Sequence, residues 1–209
     1  MGNASVLLVE GKDDEHVLYT LLEHYQVPEV FKVRNKEGID KLLNDLDVEI
    51  DQSDLERLGI IVDADTDLQA RWQSLRDRLL RLGYEDTPEV PQPDGTIILQ
   101  VNRPVVGIWL MPDNTLPGML EHFVSFLGAA DDPHDPLWAL ADNCLNEIPE
   151  DQKRFSPNHR IKAHIHTWLA WQKEPGTPFG SAITKRYLDA DAPHAQQLIA
   201  WIRRLFNLT

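Results

Sequence analysis

The sequence predicts an α/β protein: a mostly parallel sheet flanked by helices, followed by a C-terminal helical lobe. Three observations point there. Short continuous apolar runs, the mark of strands buried on both faces, recur through the first 130 residues. Stretches with apolar residues at helical spacing alternate with them, as βαβ units require. Beyond residue 130 only the helical spacing persists. These observations divide the chain into an α/β domain over 1–130 and a helical lobe over 131–209 packed on it.

"SVLLVE" is the first strand. After "GKDDEH", the residues Val17, Leu18, Leu21, Leu22 and Tyr25 recur at helical spacing. "EVFKVRN" reads as a second strand, and "EGIDKLLNDL" as a helix with Ile39, Leu42, Leu43 and Leu46 on one face. "LGIIVDAD" is a third strand. Leu68, Trp72, Leu75, Leu79 and Leu82 then mark one stripe of a third helix, with Arg71, Arg78 and Arg81 off it. "TPEVPQPDG" is a Pro-rich loop. "TIILQV" and "VVGIWLMP" are strands separated by "NRP" and suggest a hairpin, and a helix follows around "GMLEHFVSFL". "DDPHDP" breaks the chain. Helical patterns then cover 136–147, 157–173, 178–188 and 194–207.

The 209 residues suit one large domain or a domain with an appended lobe. Hydrophobic residues make up 42%, with six Trp and six Phe, enough for a real core. No apolar run approaches the roughly 18 residues that a membrane span needs, and the N-terminus shows no basic region leading to a cleavage site. Cys144 is the single cysteine, which excludes an internal disulfide and a cysteine-based zinc site. These features predict a cytoplasmic protein with no membrane partner. The net charge of −14 argues against a general nucleic-acid binder. Its distribution is uneven, however. Residues 151–209 hold nine Lys and Arg against four acids, whereas the first 150 hold 11 basic and 30 acidic residues. That is either an acidic body with a basic lobe for an anionic partner, or two solvated surfaces of opposite sign.

Acids fall at two equivalent places. Glu10 ends the first strand, with Asp13 and Asp14 at the start of the next helix; Asp63 and Asp65 end the third strand. Ligands of parallel sheets sit at the carboxyl ends of strands, so the two groups would meet at one edge. Converging carboxylates repel one another, and a hard cation such as Mg²⁺ or Mn²⁺ would offset the repulsion. Acids at helix starts also serve as caps and complement the helix dipole, and Asp13, Asp14 and Asp67 fit that reading as well. Glu10 interrupts an apolar strand at its last residue and has no such role.

"VLLVEGKDD", followed some 50 residues later by "IIVDADTD", resembles the Toprim domain of topoisomerases, primases, small ribonucleases and overcoming-lysogenization-defect nucleases. Its marks are Glu10-Gly11 after the first strand and Asp63-Ala64-Asp65 after a later one. The spacing from Glu10 to Asp14 is similar to the acidic pair of those last nucleases. "MPDNTLPGMLEHFV" and "KAHIHTWLAWQKEPGTPFGSAITKRYLD" resemble a bacterial family of small Toprim-related proteins of uncharacterised function. The resemblance implies metal-dependent phosphoryl transfer on DNA or RNA, with a stand-alone nuclease fitting a chain this short. Glu10 would act as general acid/base or as a ligand. Asp63 and Asp65 would hold Mg²⁺, and Asp14 would assist in a two-metal site. Glu121 would be a further ligand or else a solvated helix-start acid. Lys162 would stabilise developing charge, or else be a solvated lysine of an amphipathic helix. The alternative function is a non-catalytic Toprim module that binds metal or nucleic acid and acts with a protein partner.

Other motifs argue less. "DADTD" resembles the haloacid dehalogenase nucleophile motif, but it ends the third strand and has Asp67 in the place of Thr or Val. A receiver domain would leave "VEGKDD" unexplained, and there is no phosphate-binding Gly-rich loop. His164 and His166, two apart, point to different faces of a helix, which argues against zinc.

Overall fold

A computed structural model describes residues 5–128 and 135–208. Strand β1 (Ser5–Val9) is followed by α1 (Lys12–His24), β2 (Lys32–Asn35), α2 (Ile39–Ile50), β3 (Arg57–Asp63) and α3 (Leu68–Arg81). After the irregular Pro-rich stretch come β4 (Thr96–Ile98), β5 (Val105–Met111) and α4 (Leu120–Phe126). The rest is helical: α5 (Pro136–Glu147), α6 (Arg160–Ala170), α7 (Phe179–Thr184) and α8 (Pro193–Phe206). The "DDPHDP" break falls largely outside the described residues, and with it the boundary drawn between 130 and 131.

Several elements are shorter than the sequence predicts, for local reasons. The second strand starts at Lys32 rather than Glu29, because Val30 is exposed and has no face to bury. The strand from Thr96 stops at Ile98, with Leu99 and Val101 in solvent. Pro157–His159 forms a 3₁₀ turn ahead of α6. Helix α7 ends at Thr184, and Arg186 takes a left-handed conformation (φ 60°).

The sheet order is β2-β1-β3-β5-β4. The first four strands are parallel, and β4 pairs antiparallel with β5, which completes the expected hairpin. β1 and β3 are direct neighbours, with Val9 opposite Ile61. Asp63 in turn lies opposite Met111. Parallel pairing puts the carboxyl ends of β1, β3 and β5 at one edge, and this brings the two acidic groups together.

Side chains alternate across the sheet. Val6 and Leu8 of β1, with Leu58, Ile60 and Val62 of β3, pack on α2 and α3 through Leu42, Leu46, Trp72 and Leu75. Leu7, Val9, Ile61 and Trp109 face the opposite layer, which is built from α1, α4 and the helices after residue 135. The late helices therefore form one layer of the sheet's own core. α8 lies closest. Gly59 and Gly107, paired across β3 and β5, leave a hollow for Leu205; a Cβ at Gly107 would stand 2.5 Å from Leu205 Cδ2. Arg57 Nη1 also donates to the Leu205 carbonyl (2.6 Å). Among the described residues no helix is long and apolar enough to cross a membrane.

Candidate functional site

Glu10 follows the last residue of β1, and its Oε2 accepts a hydrogen bond from the backbone N–H of Asp63 at the end of β3 (3.3 Å). This contact ties the two acidic groups directly. Asp14 sits in the first turn of α1, where Oδ2 accepts from the Gly11 N–H (3.0 Å). That is the helix-start role the sequence allowed. It uses only one of the two oxygens: Oδ1 is buried with no partner, and Asp14 as a whole is 7% exposed. Asp63 Oδ1 accepts from the N–H of Leu120, the first residue of α4 (2.9 Å). Glu121, next along α4, is 5% exposed, and its Oε1 lies 2.8 Å from Nζ of Lys162 on α6.

Electrostatics give the cluster its character. Burial, reinforced by Glu10 and Glu121, pushes the Asp14 carboxyl up to about 7. Burial also pushes Asp63 up to about 9, with Asp14, Glu10 and Glu121 acting in the same direction against the hydrogen bond from Leu120. Glu10 is raised too, chiefly by burial, although the Arg71 guanidinium works against the rise. Lys162 is raised, first through its bond to Glu121. Four carboxylates therefore crowd one cleft of about 430 Å³, which Asp65, Lys12, His159 and Lys162 also line.

A protein-family model described as "Protein of unknown function (DUF3226)" matches residues 4–207. The chain belongs to the DUF3226 family. No curated protein and no solved structure matches it.

In this DUF3226 chain Asp65 stands apart from the other four acids. Its backbone is left-handed (φ 54°) and its N–H donates to the Gly118 carbonyl (2.7 Å), which pins the 112–119 loop to the sheet edge. Its side chain is exposed at the cleft rim and pairs with Arg71. By sequence Arg71 is only a basic residue off the apolar stripe. Its position carried a signal: a cation in the first turn of a helix opposes the dipole and calls for an acidic partner close by. Asp67 is the α3 N-cap, accepting from the Ala70 N–H (2.9 Å), and Asp13 is exposed beside the cleft. His164 is buried against the Trp138 carbonyl (2.9 Å) and His166 stacks on Phe179, so the two histidines face different surroundings.

Among the described residues no three His, Cys, Asp or Glu side chains already stand in an arrangement that holds a metal ion. Glu10, Asp14, Asp63 and Glu121 each have an oxygen committed to a protein donor, namely the N–H groups of Asp63, Gly11 and Leu120 and the Lys162 ammonium. The donor set still fits a hard divalent cation in its chemistry. It is all carboxylate, burial and then the neighbouring carboxylates raise Asp14 and Asp63, and Asp14 Oδ1 is a buried acceptor with no donor.

Proposed function

We propose that the chain cleaves phosphodiester bonds of nucleic acid with Mg²⁺ or Mn²⁺ held at the Glu10, Asp14, Asp63 and Glu121 cleft, in the manner its Toprim-like motifs imply. The observation that carries this reading is the unpartnered Oδ1 of Asp14, buried where three more carboxylates converge from adjacent strand and helix ends. A bound divalent ion would neutralise phosphate charge and lower the pKa of an attacking water.

The chain's own residues supply the rest. Glu10, Asp14 and Asp63 would be the least mobile ligands because each is anchored by a backbone N–H. Asp65 would contribute from the rim once released from Arg71. Glu10, its carboxyl raised by burial, is suited to hold and pass a proton at Oε1 while Oε2 stays on the Asp63 N–H. Lys162 would meet charge on a phosphate oxygen. Lys12, His159 and Lys162 at the cleft mouth would draw a phosphate backbone past an otherwise acidic body.

One observation favours the second reading, a non-catalytic metal- or nucleic-acid-binding module acting with a protein partner: among the described residues no ligand set is ready-made. A single experiment separates the two. Supercoiled plasmid, single-stranded DNA and RNA are each incubated with the protein in Mg²⁺, Mn²⁺ or EDTA, beside Asp63→Asn, which keeps the shape and removes the charge. Metal-dependent cleavage that vanishes in the variant is expected. Cleavage in EDTA, or an undiminished variant, overturns the site. No cleavage on any substrate, with metal raising the melting temperature of wild type alone, selects the module.

A further inference from the structure

We infer that Lys162 is a tethered counter-ion that holds Glu121 out of the metal's ligand set, so that a lysine of the C-terminal helices sets the affinity of the cleft for a divalent cation. This rests on the metal reading above and deepens it.

The pair is asymmetric. Glu121 is 5% exposed and sits at the start of α4, whose backbone also donates to Asp63, so it has little freedom to move away. The Lys162 side chain is 47% exposed and reaches in from α6, on the other wall of the cleft. Among the described residues no other Lys, Arg or His nitrogen lies within 4.0 Å of the carboxylates of Glu10, Asp14, Asp63 or Glu121. The ammonium thus occupies the cationic place in a cluster that otherwise repels itself. A divalent ion entering the cleft would compete with Nζ for Glu121 Oε1 and would repel it as well. Both effects weaken metal binding, and both end when the ammonium swings to solvent or to an arriving phosphate. A lysine serving only to meet substrate charge would leave the affinity for metal alone unchanged. One serving only as a staple between α4 and α6 would, on removal, leave it unchanged or weaker.

Mn²⁺ binding, measured by calorimetry on the full chain at pH 8 and low salt, reads the difference. Lys162→Met should bind Mn²⁺ about five- to tenfold tighter than wild type, the order expected for releasing one half-exposed ion pair and one repulsion. Lys162→Gln is the second neutral variant and should do the same. Lys162→Arg keeps the charge and should bind as wild type does. In a Glu121→Gln background the gain from Lys162→Met should shrink, since the competition for Oε1 is gone. Equal or weaker binding by both neutral variants overturns this inference alone. A gain of full size in the Glu121→Gln background overturns it too, because Glu121 is then not the residue held back. Failure of both wild type and the neutral variants to bind Mn²⁺ overturns the metal reading with it.

Discussion

Asp14→Asn should make the metal-free protein more stable, and the gain should grow with pH. The Asp14 carboxyl is pushed from an ordinary 3.8 to about 7, so the folded chain holds that proton more tightly than the unfolded chain does. The stability from this proton is fully present below about pH 4. It is lost as pH rises through about 7, where the folded state must carry a buried carboxylate among like charges. At about 1.4 kcal/mol per pH unit, the rise from 3.8 to about 7 corresponds to about 4 kcal/mol as an upper bound. Asp63 and Glu10 titrate with it and share the effect, so about 2 kcal/mol is the expected size for one substitution. Asparagine can still accept from the Gly11 N–H through its carbonyl. Its amide N–H₂ falls where Oδ1 now lies without a donor, beside carboxylates able to accept. Thermal unfolding followed by circular dichroism in EDTA at pH 5, 7 and 9 should therefore show the variant melting higher, by about 4–8 °C at pH 9 for a chain of this length, and by less at pH 5. Mn²⁺ should raise wild type at pH 9 and leave the variant unmoved. A variant that melts below wild type at pH 9, or a gain that is flat across the three pH values, would refute the picture of an uncompensated carboxylate cluster.

Two further substitutions test the frame around the cleft. Asp67→Ala removes the α3 N-cap, and urea denaturation should show a loss of about 1 kcal/mol with Mn²⁺ affinity unchanged; a drop in affinity would place Asp67 in the site. Gly107→Ala puts a methyl against the buried Leu205 side chain and should cost about 1–3 kcal/mol in the same assay; an unchanged urea midpoint would mean that α8 does not press into the β3–β5 hollow.

The α/β alternation was legible because each element carries its own period. β1 and β3 are continuous apolar runs, and α3 shows its stripe through Leu68, Trp72, Leu75 and Leu79, all buried. The meeting of Glu10 with Asp63 was legible as well, since acids at the ends of two parallel strands share an edge. Two things were not legible. Strand order depends on which sheet faces find helices to cover them, and no local pattern encodes that. The hollow at Gly59 and Gly107 is an example: each glycine weakens its strand in isolation, and the pair makes sense only once Leu205, far along the chain, fills the space.

The fate of Asp65 shows the same limit at the level of single atoms. By sequence it is the equal of Asp63, two residues on in one motif. Two residues is the period of a strand, so continued extension would have put both carboxylates on one face. β3 ends at Asp63, however, and the chain turns left-handed at Asp65 to bridge Gly118. One acid is thereby directed into the cleft among Asp14, Glu10 and Glu121, and the other to the rim against Arg71. The burial that raises Asp63 so far is a cost to folding, which a retained proton or a bound cation would offset. Among the described residues Lys162 supplies one positive charge, and its ion pair is with Glu121. The buried oxygen of Asp14 is left with no donor, and the proposed divalent site rests on that atom.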